Sequence, residues 1–401
     1  MAIPLRTGYE DADYIVYTKA GTYYAKDAQT GDIAYGGPNN VGGVSGKSPS
    51  AVIQSAINAL PNGGKVFIKK GDDYVLLSGT QITFRKYVYV ESDGAILRNL
   101  DTQYPFVTPS NDVFYNASIK GLVLDASNVV NSVGLFAYGV QRSQIDVTIK
   151  NATYGLDLRC PVGATAIETI LKTNCILSHY RLQIENVTVA VQLLGTDVDN
   201  VVTDSVFEYI YATRIHGIGL RLVQWCDTLH FDQVFLSMDT ENSYGIVFND
   251  SATPGSEVGV EQLHFDHLII DGFTLLSVNG LWLNACKKNV VESLIAGPLP
   301  FPGTLVTDNA GRSISHLIRN VAENIILVKG WAGDGTATIL NGWATVYITH
   351  SLVSTPTLVK LTGKHSEVSA PYVTAVDATG ISVAVAAPVT ANRDLFWYAE
   401  T

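Results

Sequence analysis

Leu229-His230-Phe231-Asp232 and Leu263-His264-Phe265-Asp266 are the same four residue types met twice, thirty-four positions apart. A repeat of roughly 20 to 50 residues marks a solenoid, whose units are too small to bury an apolar face alone and must stack on their neighbours. Within each copy apolar and polar residues alternate, so the repeating unit is built on a strand.

Other stretches lie over these two copies: Ile119 to Val123, Ile145-Asp146-Val147-Thr148-Ile149, Leu182-Gln183-Ile184, Phe207-Glu208-Tyr209 and Val291-Glu292-Ser293-Leu294. They predict an inward column Ile119, Ile145, Leu182, Phe207, Phe231, Phe265, Val291, with steps of 26, 37, 25, 24, 34 and 26 residues. Uneven steps suit a parallel β-solenoid, where strands keep register while turns absorb insertions; helical repeats would instead need a 3.6-residue period. Strands about 4.8 Å apart would stack the three Phe rings.

The 401 residues are 47% hydrophobic and 16% charged, with 35 Gly and 20 Tyr, which excludes a disordered chain. No stretch of about 18 apolar residues is present, so no membrane insertion is expected. A net charge of −11 without Lys/Arg clusters argues against nucleic acid as a partner. The segment Met1 to Arg6 lacks the apolar core of a secretion signal, so a protein acting outside a cell would be expected to get there by another route, for example on a virion or by lysis. Cys160, Cys175, Cys226 and Cys286 have no metal-ligand spacing and read as buried thiols, with a Cys160–Cys175 disulfide as the alternative.

Four parts follow along the chain. Residues 1–45 hold short Tyr-rich strands and a Gly-rich linker. Residues 46–64 hold a helix capped by Ser48 and Pro49, with Val52, Ile53, Ala56, Ile57 and Leu60 on one face, placed to cover the open end of the core. Residues 65–350 form the solenoid, roughly nine or ten coils. Residues 351–401 change to strands outside the solenoid register, such as Ile381 to Val385 and Leu395 to Tyr398; so small a module is expected to be completed in an oligomer.

The run from Val52 to Gly71, with Ala56-Ile57, Gly63-Gly64-Lys65-Val66-Phe67-Ile68 and then Tyr74, resembles the capping helix and first coil of the pectate-lyase-like superfamily of right-handed parallel β-helices. The flanks, Asp13 to Tyr17 and Leu395 to Glu400, are similar to β-helix proteins of thermophilic archaea and their viruses. The resemblance implies an all-β, right-handed parallel β-helix, trimeric as in viral tailspikes and attachment fibres. Its members include polysaccharide lyases, glycoside hydrolases and proteins that only bind glycans. A hydrolase of the polygalacturonase kind would carry Asn-x-Asp, Asp-Asp, Gly-His-Gly and Arg-x-Lys elements in successive coils. Here Asp72-Asp73 precedes the coils, Arg214-Ile215-His216-Gly217 is a partial echo, and no Arg-x-Lys occurs.

Residues following the inward column point outward: Lys120, Asp146, Gln183, Glu208, Asp232, Asp266 and Glu292. Two positions earlier on the same face come Arg181, Val206, His230 and His264. Stacked carboxylates beside stacked histidines suit acid/base work by Asp232, Asp266, His230 and His264, or a hard cation such as Ca2+. The same stripe also reads as a plain solvated face. Glycan contacts are expected at Glu208, Arg181, Trp225 and Trp282, with Trp331 and Trp343 also near turns. Asn116, Asn151, Asn186 and Asn249 begin glycosylation sequons. The resemblance, with the missing secretion signal and the incomplete catalytic set, implies a virion spike or fibre bound to other virion proteins and to host cell-surface glycan. A polysaccharide lyase or hydrolase is the alternative, and a cellular adhesin the third.

Overall fold

The computed structural model describes residues 11–108, 112–160, 174–196, 200–248, 260–272 and 278–283 without interruption, shorter stretches between 289 and 349, and most of 355–400. The two copies of the repeat lie side by side. Strand His230–Met238 runs parallel to His264–Gly272, with His230 opposite His264 and Phe231 opposite Phe265. Upstream, Phe207 lies opposite Phe231, Tyr180 opposite Phe207, Ile145 opposite Tyr180 and Ile119 opposite Ile145. Val90 and Val66 carry the column back toward the N-terminus, and Val291 carries it forward. All these side chains are buried. The rings of Tyr180, Phe207, Phe231 and Phe265 stack at centroid distances of 4.4, 4.8 and 4.4 Å, matching the spacing of paired strands.

One member of the expected column is corrected. Tyr180 stands where Leu182 was expected, and Leu182 lies instead opposite Val147. Side chains alternate with period two, so a two-residue slip keeps every face assignment and alternation alone does not reveal it. Arg181 therefore moves into the row of Asp146, and His179 takes the place expected for Arg181, opposite Val206.

A bulge changes the strands beyond Tyr180. One residue, Arg181, separates inward Tyr180 from inward Leu182, whereas Glu208 and Tyr209 both lie between Phe207 and Ile210. The later coils keep the pair, as Asp232-Gln233 and Asp266-His267. An extra residue bends the strand and redirects outward side chains, so the flank changes shape at this coil. A separate bulge sits at Gly121, whose φ of +69° and closeness to the Ser92 carbonyl leave no room for a Cβ.

Polar ladders hold the corners. Ala117 N–H donates to Ser143 Oγ, Ser143 N–H to Ser178 Oγ and Ser178 N–H to Ser205 Oγ, at 3.1 to 3.3 Å. The next two coils replace serine with buried Leu229 and Leu263, and Leu263 N–H then donates to Asn289 Oδ1. At another corner Asn128, Asn151 and Asn186 adopt φ near +57°, a conformation asparagine tolerates. Asn186 Nδ2 donates to Asn151 Oδ1 and Asn128 Oδ1. The amides of two sequons are thus part of the ladder. Asn249 lies outside the described residues.

Ser48 Oγ accepts from Ala51 N–H at the start of helix Pro49–Asn58, which buries Val52, Ile53, Ala56 and Ile57 in the main core. Gln54 donates from Nε2 to the Thr83 carbonyl and accepts from Thr83 N–H at Oε1. Its amide supplies both bonds that a further strand would have made to this edge. Strands Tyr14–Lys19, Thr22–Asp27 and Ile33–Gly36 form an antiparallel meander whose first strand also pairs in parallel with Gly64–Ile68. It therefore extends the stack as well as preceding it.

Beyond Glu323 the pairing turns antiparallel. Arg393–Glu400 lies between Ala332–Ile339 and Leu358–Gly363, and Gly380–Ala384 lies between Thr345–Thr349 and Tyr372–Val376. These sheets take in the strands Ala332–Ile339 and Thr345–Thr349, ahead of the boundary expected at 351. These strands have their own core, including Ile339, Ile348, Ile381, Val383 and Leu395. Cys160 and Cys175 are buried with their sulfurs 3.8 Å apart, a hydrogen-bond and not a covalent distance, in place of the disulfide alternative; Cys226 is also a buried thiol, and Cys286 lies outside the described residues.

Candidate functional site

Because Phe231 and Phe265 are locked inward, the residues on either side of each must point outward. His230, Asp232, His264 and Asp266 thus meet on one flank, each 39 to 42% exposed. His230 Nε2 lies 2.8 Å from Asp232 Oδ1 and 3.2 Å from Asp266 Oδ2. His264 Nε2 lies 3.0 Å from the other Asp266 oxygen, Oδ1. The two imidazoles stack at 5.0 Å, 10° from coplanar. The four residues expected to act together are together.

One coil upstream the chemistry differs. Glu208 meets His179 Nδ1 at 2.8 Å and Arg181 Nη1 at 3.7 Å, while Arg181 Nε is 4.0 Å from Asp146. Acidic and basic groups alternate here. Asp146, Arg181, Gln183, Tyr209 and Gln233 line a shallow depression of about 390 Å³.

A second groove, of about 410 Å³, lies farther along the same strands and was not expected from the sequence. Tyr211 and Phe235 stack in it at 4.8 Å, and Glu185, Arg214, Asp239 and Asp271 stand around them. Tyr211 is 41% exposed, and Tyr209 lies parallel to it at 6.1 Å. Phe207-Glu208-Tyr209-Ile210-Tyr211 carried the signal, since aromatics at outward positions of an alternating strand have no core to fill. Arg214 pairs with Glu185 at 3.3 Å, and partial burial raises the Asp271 carboxyl above the usual aspartate range.

Other expected residues fall elsewhere. Trp225 is a half-buried corner residue at φ +50°, between the strands ending at Gln224 and beginning at Cys226. Trp282 packs against Tyr244 on a different ladder from His230. Trp331 and Trp343 lie outside the described residues. His216 bonds the asparagine ladder through Asn186 Oδ1, and Asp73 pairs with Arg98 at 2.7 Å. Among the described residues no helix is long and apolar enough to cross a membrane.

No protein family and no curated protein matches the sequence. Three solved structures are similar at a distance. A tailspike protein of Acinetobacter baumannii bacteriophage Fri1, a capsular polysaccharide depolymerase, is 12% identical, over 87% of this chain and 82% of that one, with TM-score 0.31. A protein of Geobacillus virus E2 is 12% identical over 86% and 74%, with TM-score 0.38. A tailspike protein of E. coli bacteriophage HK620, in complex with a pentasaccharide, is 12% identical over 92% and 91%, with TM-score 0.31. Likeness at this level assigns no activity to this chain.

Proposed function

We propose that this chain is a spike or fibre of a virion surface that binds host cell-surface polysaccharide along the flank of its stacked coils. The observation that carries the reading is the Tyr211–Phe235 stack in a groove bordered by carboxylates and Arg214. An exposed aromatic face packs against the apolar face of a pyranose ring, while surrounding polar groups meet its hydroxyls. The stack is right-handed in this reading, as parallel crossovers almost always are. The trimer, the contacts with other virion proteins and the archaeal source rest on the resemblance of the flanking segments.

Calorimetry against a panel of acidic and neutral polysaccharides tests the groove. Tyr211→Ala is expected to weaken the bound glycan at least tenfold, about 1.4 kcal/mol. Unchanged affinity would remove the groove from recognition. The enzymatic reading is favoured by one observation, that partial burial raises the carboxyl of Asp271 within the same groove, the direction in which a general acid's carboxyl is shifted. New reducing ends or unsaturated uronates, lost in Asp271→Asn with binding retained, would establish it. The double substitution Asp232→Asn, Asp266→Asn tests the earlier acid/base assignment in the same assay.

A further inference from the structure

We propose that His230, Asp232 and Asp266 form a binding site for a divalent transition metal of the zinc class, with His264 orienting Asp266 from the next coil. One donor atom from each of the three lies within 4.8 Å of the other two. Zinc bonds of about 2.0 to 2.2 Å in a tetrahedron hold their donors roughly 3.4 Å apart. His230 Nε2 is already 2.8 and 3.2 Å from the two carboxylate oxygens, so small side-chain rotations suffice.

The scaffold is rigid where the site needs it. His230 and Asp232 flank Phe231, Asp266 follows Phe265, and the stack of these two buried rings fixes the coil-to-coil register. His264 engages the Asp266 oxygen that His230 does not reach, which holds the carboxylate in place as outer-shell partners of metal ligands do.

Charge separates this cluster from its neighbours. Among the described residues, histidines alone form ion pairs with Asp232 and Asp266, whereas Arg181 is within reach of Glu208. With neutral imidazoles the cluster has a formal charge of −2, which one dication balances. An imidazole nitrogen with two carboxylates suits zinc, cobalt or nickel; calcium requires about six to eight oxygens. This replaces the calcium expected from the carboxylates alone. The half-exposed ring leaves the remaining coordination positions open to water or ligand.

Full-length protein stripped with chelator and titrated with zinc chloride in a calorimeter should take up one equivalent per chain, undisplaced by excess calcium. Cobalt(II) should give a visible absorption band at the same stoichiometry. Asp232→Asn with Asp266→Asn should weaken uptake at least tenfold and abolish the band, with His264→Gln causing a smaller loss. Asp232→Asn alone, at a half-exposed position, serves if the double variant fails to fold. No saturable uptake, displacement by calcium, or uptake unchanged in a variant with a native melting curve would overturn the site. None of these readings depends on whether the aromatic groove binds glycan.

Discussion

In the coils, Phe231 packs between Phe207 and Phe265, each one repeat away in sequence. In the C-terminal sheets, Thr338 pairs with Asp394, 56 positions on, and the strand of Asp394 lies between that of Thr338 and Leu358–Gly363. The coil core is a sum of nearest-neighbour stacks, so damage is felt mainly by adjacent coils. The C-terminal core closes only when distant strands meet, so it forms or is lost as a unit.

The sharpest way to break this contrast is a pair of core truncations. Phe231→Ala should cost about 3 to 5 kcal/mol and Leu395→Ala about 2 to 5 kcal/mol. Hydrogen exchange should then rise across 206–272 in the first variant and across 332–400 in the second. If either variant loosens both regions equally, the two cores are one cooperative unit and the contrast fails.

A smaller effect is expected from Ser178→Ala. It leaves the buried Ser143 N–H without its acceptor and should cost about 1 to 3 kcal/mol, read as a lower melting temperature of the coils. A valine that proved equally tolerated would show the ladder to be packing rather than hydrogen bonding.

Acid should separate the two regions with the least perturbation. Bonds from Thr390 and Arg393 hold the Glu367 carboxyl at about 2, below the ordinary value of 4.5, so its contribution is present above 4.5 and lost as pH falls toward 2. Burial raises Asp227 and Asp271 in the coils, so their charged forms oppose folding at neutral pH and protonation relieves this as pH falls through their raised values. Exchange compared at about pH 5 and pH 3 should show the C-terminal sheets loosening first. Simultaneous loosening would mean that other carboxylates dominate.

Much of the coil stack was legible because strand alternation and stacking use the same residues. Phe207, Phe231 and Phe265 announced their column, and His230, Asp232, His264 and Asp266 followed from it as outward neighbours. The Tyr180 position was missed because Leu182 fits alternation equally well, and that slip misplaced Arg181 by one row. The Tyr211–Phe235 groove was not legible because an outward tyrosine in an alternating strand looks like any other exposed residue, and because its acidic border, Glu185, Asp239 and Asp271, comes from three separate coils.

By itself the sequence determined that strands repeat, which side chains point inward, and that two histidines and two aspartates share a flank. Alternation and the repeated tetrapeptide are local properties of the chain. Only the tertiary structure decided the register between coils, the ladders at the corners, the change to antiparallel pairing beyond Glu323 and which carboxylate each histidine meets. The register and the ladders depend on contacts between different coils, such as Phe207 with Phe231 24 positions on, where shifts by two leave the local pattern unchanged and only packing distinguishes them.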